Sequence, residues 1–130
     1  MMSAELTALA LAALVQAVQI GLAGYAMHRD IGDEWNVGPR DTQPDFAPLT
    51  GRLRRAVANH FEGLAFFTIA VLVVTLGGAS SGLTAACAWI YLVARILYVP
   101  AYAFGWAPWR SVIWMVGFVA TMVMIFAALF

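Results

Sequence analysis

Apolar residues run along this chain in four long blocks, separated by three stretches of polar or small residues. The blocks cover residues 4–27, 52–76, 83–104 and 109–130. Each is near the ~20 residues that an α-helix needs to cross the hydrocarbon core of a bilayer. The pattern predicts an all-α membrane protein, a four-transmembrane-helix bundle formed as a single domain over residues 1–130. The second block is informative because its charge-free part, residues 63–76, is too short to span alone. Its helix must therefore include Asn59 and Glu62, and its first turns must hold them near one membrane face.

The polar residues inside these blocks fall on stripes. At 100° per residue, Arg52, Arg55, Asn59 and Glu62 lie within roughly an 80° arc of one helix, and Arg95, Tyr98 and Tyr102 within roughly 60° of another. Ionisable side chains are costly in lipid and mark sites of function. The two stripes predict a charged pocket between two helices. The competing structural reading is an ion-pair network among Arg52, Arg55 and Glu62 that pins helices together. Arg54 points away from the stripe and reads as a headgroup or topology residue. His60 lies about 80° off it and reads as a packing or interfacial histidine.

Between the first two blocks, residues 28–51 carry Asp30, Asp33, Glu34, Arg40, Asp41 and Asp45 with Pro39, Pro44 and Pro48. This segment reads as an ordered loop over the membrane surface with a short helical turn. Residues 77–82, Gly-Gly-Ala-Ser-Ser-Gly, form a charge-free tight turn. A third short connection, residues 105–108, ends in Pro108, which suits the start of the fourth helix. Ala4, Ala8 and Ala12, then Gly21 and Gly24, give the first helix small residues that permit close helix approach.

Composition then narrows the picture. The chain is 63% hydrophobic and 11% charged, against about a quarter charged in soluble domains. Net charge is zero, so nothing points to nucleic acid. All seven Lys+Arg residues are arginine, whose fork of donors grips carboxylates two at a time. Cys87, the one cysteine, reads as a small core hydrophobe. The start of the chain has Glu5 and no basic residue, so the first apolar block is not a signal peptide. The first loop and its flanks carry Arg29, Arg40, Arg52, Arg54 and Arg55, the third loop carries Arg110, and the second loop and the ends of the chain carry none. The positive-inside rule then puts loops one and three in the cytoplasm and both termini outside, with Tyr25, Trp106 and Trp109 in the interfacial belt. No metal-ligand cluster, phosphate loop or serine triad is present.

The run Arg52-Leu-Arg-Arg55-Ala-Val-Ala-Asn59-His-Phe-Glu62 resembles the helix-two signature of the MAPEG family, the membrane-associated proteins in eicosanoid and glutathione metabolism. Arg95-Ile-Leu-Tyr98-Val-Pro-Ala-Tyr102 is similar to its helix-three pattern, and Ala107-Pro-Trp-Arg110-Ser111 to the start of its helix four. The loop around Gly38, Arg40 and Asp41 looks like that of bacterial members, and for a bacterial chain the resemblance implies the inner (plasma) membrane. The resemblance implies a homotrimer in membrane lipid, with glutathione as co-substrate near the cytoplasmic face and no metal. Glutathione would be held by helices one and two of one subunit and helices three and four of the next. By carry-over, Arg29, Arg52, Arg55, Asn59, Glu62, Arg95, Tyr98 and Tyr102 would bind it. Arg110 and Ser111 would activate its thiol toward a lipophilic small-molecule electrophile, as a transferase or peroxidase. The chain departs from the prostaglandin synthase branch at Ala58, where a basic residue stands there, at Tyr98 in place of His, and at Trp114 in place of Tyr. These departures argue against prostaglandin synthesis. Two alternatives stand beside this reading: a small four-helix transporter using Glu62, and a non-catalytic lipid- or thiol-binding member of the same fold.

Overall fold

A computed structural model describes residues 1–130 as five helices: α1 (Ala4–Ile31), α2 (Asp33–Val37), α3 (Pro48–Leu76), α4 (Gly82–Ala103) and α5 (Trp109–Leu129). All but α2 are long and apolar enough to cross a membrane. Short connections make α3, α4 and α5 antiparallel neighbours in sequence order. Helices α3 and α4 pack on each other and on both remaining spans, whereas α1 and α5 do not touch. The bundle is thus a central pair flanked on either side.

Local chemistry fixes the ends. Ser3 caps α1, its side chain accepting from the Leu6 N–H at 3.2 Å. Gly32, at φ 74°, stops α1 in a conformation that costs glycine little. The α3–α4 turn passes through Gly78 at φ 66°, then enters α4 by a reciprocal capping box between Ser81 and Thr84. Helices α4 and α5 keep the expected bounds to within a residue. Helix α1 runs four residues past Met27, and α3 begins at Pro48 rather than Arg52. Pro48 supplies a helix start in which its missing N–H costs nothing. At 1.5 Å per residue, the 29 residues of α3 make a helix longer than the ~30 Å hydrocarbon core of a bilayer.

The core is built from small residues on α1 and larger ones on α3 and α4. Ala8 and Ala12 are fully buried, and Phe67 stacks on Tyr91 at 3.9 Å between ring centres. Cys87 is buried in the same cluster. Gly21 and Gly24 do not serve close packing within the chain, for a methyl added at either would meet nothing within 4 Å. Leu14, Val18, Leu72, Ile96, Leu97 and Val119 point outward. That inverts the soluble pattern, as a lipid-facing surface requires.

Polar contacts tie the helices inside. Gln16 Nε2 donates to the Val57 carbonyl at 3.0 Å, and Gln19 reaches both Gln16 and the Nδ1 of His60. His60 is wholly buried, a packing residue rather than an interfacial one. At the far end of the bundle Glu5 is also buried, accepting from the hydroxyls of Ser80 at 2.7 Å and Thr84 at 2.6 Å. This carboxylate fastens the start of α1 to the α3–α4 turn.

The first loop is ordered, with α2 as its helical turn. Asp30 Oδ2 accepts from the Ala47 N–H at 3.0 Å. Trp35 donates to the Thr42 carbonyl and meets Phe46 edge-on at 5.5 Å. The Arg54 guanidinium lies 4.7 Å from the centre of the Phe46 ring and 6.0 Å from that of Trp35. Arg54 is therefore the residue that holds the loop against α3, not a free headgroup contact. Its position off the polar stripe is what points it under the loop.

Candidate functional site

The two predicted stripes meet within one chain, at the end of the bundle that carries the first loop. From α3, Arg52 Nη1 donates to the Ala103 carbonyl at 3.4 Å, and Arg55 Nε to the Tyr102 hydroxyl at 3.2 Å. From α4, Arg95 Nη1 donates to Asn59 Oδ1 at 3.1 Å. The fourth guanidinium arrives from the first turn of α5: Arg110 Nη1 lies 3.5 Å from the Tyr98 hydroxyl. Tyr98 and Tyr102, edge to face at 5.6 Å, separate these cations. Arg95 lies 4.4 Å from the Tyr98 ring centre, while Arg110 and Arg55 lie 4.9 and 5.9 Å from that of Tyr102. The result is a ladder of alternating guanidinium and phenol, in which cation–π attraction replaces ionic pairing.

No carboxylate joins that ladder. The chain's two ion pairs, His28–Asp33 and Arg29–Asp30, both lie around the end of α1. The ion-pair network considered for Arg52, Arg55 and Glu62 does not form. Glu62 is exposed at the rim of a cavity that Arg95 also lines. The acceptors used by Arg52, Arg55, Arg95 and Arg110 are all neutral: a backbone carbonyl, two phenols and an amide. Clustered cations satisfied only by neutral oxygens form a site with positive charge to spare, and a carboxylate or thiolate is the natural complement.

The remaining sequence candidates sit apart. Arg29 is exposed beside Asp30 at 3.9 Å and bonds to no member of the ladder. Ser111 follows Arg110 on the exposed face of α5. The resemblance assigns the helix-two and helix-three groups to neighbouring subunits; here they already touch in a single chain.

Sequence reasoning stopped the α4 stripe at Arg95 and missed Tyr91. Residues 91, 95, 98 and 102 continue one face at steps of four, three and four, so the signal was present. Tyr91 is buried, and its hydroxyl has no partner. Gly63, opposite it on α3, leaves room that a methyl would partly occupy, 3.4 Å from that hydroxyl.

The sequence model of the MAPEG family matches residues 4–130. That is nearly the whole chain, and the chain belongs to the MAPEG family. No curated protein matches it. Family membership and the four apolar helices together make it an integral, multi-pass membrane protein.

Proposed function

On the footing of that membership, we propose that this protein is a membrane-bound transferase or peroxidase that uses an activated glutathione thiolate against a lipophilic electrophile. The observation that carries the proposal is the ladder of Arg55, Arg95 and Arg110, with Arg52 beside it on the Ala103 carbonyl and no carboxylate bonded to any of these four guanidiniums. Glutathione offers two carboxylates, an ammonium and a thiol. Arginine forks match the carboxylates bidentately, and Glu62 at the rim is free to meet the ammonium. Asn59, Tyr98 and Tyr102 supply neutral hydrogen bonds between the charges.

The thiolate is the nucleophile, and nearby positive charge favours it over the thiol. Arg110 is the group for that role. It stands in the first turn of α5, where the helix dipole adds positive potential, and Ser111 beside it offers a hydroxyl. The thiolate sulfur forms a bond to the electrophilic carbon as the leaving group departs with its electron pair. An apolar electrophile reaches the site through the bilayer. We place the ladder at the cytoplasmic face from the arginine distribution, and take a homotrimer from the family resemblance. A cation-exporting role gains little from this geometry, because the Glu62 carboxylate shares its cavity with Arg95.

The test is glutathione binding and conjugation by the purified protein. Arg110→Ala should lower turnover with a model aryl halide, and weaken the ultraviolet thiolate band, while leaving glutathione affinity within a few-fold. Wild-type protein that binds no glutathione, or binds it without thiolate or conjugation across several electrophiles, would overturn the proposal.

A further inference from the structure

A second opening lies away from the ladder, between α1 and α4 of the same chain. It is a groove of about 520 Å³ that runs from Leu11 and Leu92 at one end to Gln19 and Pro100 at the other. None of the residues assigned above to glutathione lines it. From Leu11 to Gln19 the groove is about 12 Å long at 1.5 Å per residue. Apart from Gln19, its walls are aliphatic. Gln19 is 2% exposed, and its hydrogen bonds fix its orientation. Gln16 gives its Nε2 to the Val57 carbonyl, so its Oε1 is left to accept. Gln19 Nε2 donates to that oxygen at 3.1 Å and to Nδ1 of His60. Gln19 Oε1 then has no partner. Across the groove, Pro100 stands inside α4. It has no N–H, so the Ile96 carbonyl, which points along the helix toward it, lacks its usual donor. Unmet acceptors are expensive where no water reaches them.

We propose that this groove binds a hydroxylated acyl chain of a membrane lipid, a neutral aliphatic chain with its hydroxyl part-way along. The hydroxyl hydrogen is shared between Gln19 Oε1 and the Ile96 carbonyl, and the chain beyond it lies along Leu11, Val15 and Leu92. Gln19 Oε1 is enclosed, but the last torsion of a glutamine is broad, and a small turn of the amide presents it to the groove. Four features select this chemistry. The vacant groups are both acceptors, so the ligand must bring a donor. No charged side chain lines the groove, so the donor is neutral, for an ammonium there would have no counter-ion. The groove has over three times the ~150 Å³ that holds a benzene ring, and no aromatic wall on which a flat ring would stack, so a long chain fits it better. Ile96 lies about 10 Å inside the end of α4 at Ala103. A hydroxyl at headgroup level does not reach that depth, whereas one near the middle of a chain does. The site does not depend on glutathione binding.

The probe is methyl 10-hydroxystearate, exchanged between nanodiscs holding the protein and an excess of empty nanodiscs, without thiol, and counted per chain by mass spectrometry. Three esters are the comparators. Methyl stearate has no oxygen on the chain, methyl 10-oxostearate has an acceptor there but no donor, and methyl 2-hydroxystearate has its hydroxyl at headgroup depth. Saturable retention of one 10-hydroxy ester per chain is expected, with the other three at the empty-nanodisc level. Pro100→Ala returns an N–H to the Ile96 carbonyl. It should weaken retention about two- to tenfold, the loss of one neutral hydrogen bond, with helicity unchanged. Val18→Trp puts a bulky ring at an exposed position on the groove wall and should abolish retention. Ile20→Trp, exposed on the same helix but outside the groove, should leave it as in wild type. Retention at the empty-nanodisc level, as when plain lipid chains or a second copy cover the groove, would overturn the proposal. So would equal retention of the 10-oxo ester, or indifference to both Pro100→Ala and Val18→Trp.

Discussion

Replacing Arg55 by alanine should separate ligand binding from fold stability. Arg55 and Arg110 flank the same phenol, their guanidinium carbons 5.9 and 4.9 Å from the Tyr102 ring centre. Two unit charges roughly 10 Å apart repel by about 1.7 kcal/mol at an effective dielectric of ~20. Arg55 is exposed, so solvent and salt bring that well below ~1 kcal/mol. The variant also loses the 3.2 Å bond to Tyr102, worth a similar amount at an exposed position. The two terms oppose each other, and the ligand-free melting point should move by no more than a few degrees. The ligand-dependent part behaves differently. Glutathione at a hundred times its dissociation constant should stabilise wild type by about 2.7 kcal/mol, roughly 10 °C for a chain of this size. Removing one charge-assisted contact costs about 1.5–3 kcal/mol of binding. For a thirtyfold loss of affinity, the same glutathione concentration leaves only about 0.9 kcal/mol of stabilisation, roughly 3 °C. Thermal unfolding in detergent, followed by tryptophan fluorescence with and without glutathione, reads both quantities. A ligand-free melting point lowered as by a core truncation, together with an undiminished glutathione shift, would show Arg55 to be a structural pin and refute the reasoning.

Arg54→Ala should free the first loop by removing the cation held over Phe46 and Trp35; limited proteolysis should cut residues 32–47 faster, with glutathione affinity changed less than by Arg55→Ala. Glu5→Ala removes two hydroxyl–carboxylate bonds, but Thr84 keeps the Ser81 carbonyl at 3.0 Å and Ser80, being exposed, turns to water. The net loss should be about 1–3 kcal/mol, seen as a melting point lower by several degrees, and no change in melting would remove the latch from the stability argument. Topology is testable with Gly82→Cys, an exposed site with open space around it. An impermeant maleimide should label it from outside the cell, and native mass spectrometry of the same preparation should show three copies. Labelling only from the cytoplasm would reverse the orientation, and a stable monomer would remove the trimer.

The spans were legible because lipid imposes a single, long-range rule on composition, and the 77–82 turn because it consists of glycine and small residues. The start of α3 was not, since Pro48 to Gly51 (Pro-Leu-Thr-Gly) carries no apolar run; only Pro48 marked it. Helical arithmetic put Arg52, Arg55 and Asn59 on one face and Arg95, Tyr98 and Tyr102 on another, and these faces meet. The same arithmetic could not say whether Glu62 would turn toward Arg52 and Arg55 or away, because a side-chain rotamer depends on what the neighbouring helix presents. Arg54 was misjudged for a related reason: a residue off the stripe looks free until the loop that covers it is placed. Glu5 and its partners Ser80 and Thr84 are separated by most of the chain, and no local pattern links them.

The Glu5 latch has an electrical consequence. Glu5 is the only charged side chain at its end of the bundle, and formal net charge is zero, so the side chains at the opposite end carry a net positive charge of one unit. With Glu5 ionised, the molecule is a dipole along the bundle axis. A charge that crosses the full membrane field changes energy by about 2.3 kcal/mol per 100 mV. An energised membrane, negative on its cytoplasmic side, therefore favours the arrangement with the arginine end inward. The standing field and the positive-inside bias act in the same direction on this chain, and a collapsed potential would remove one of the two.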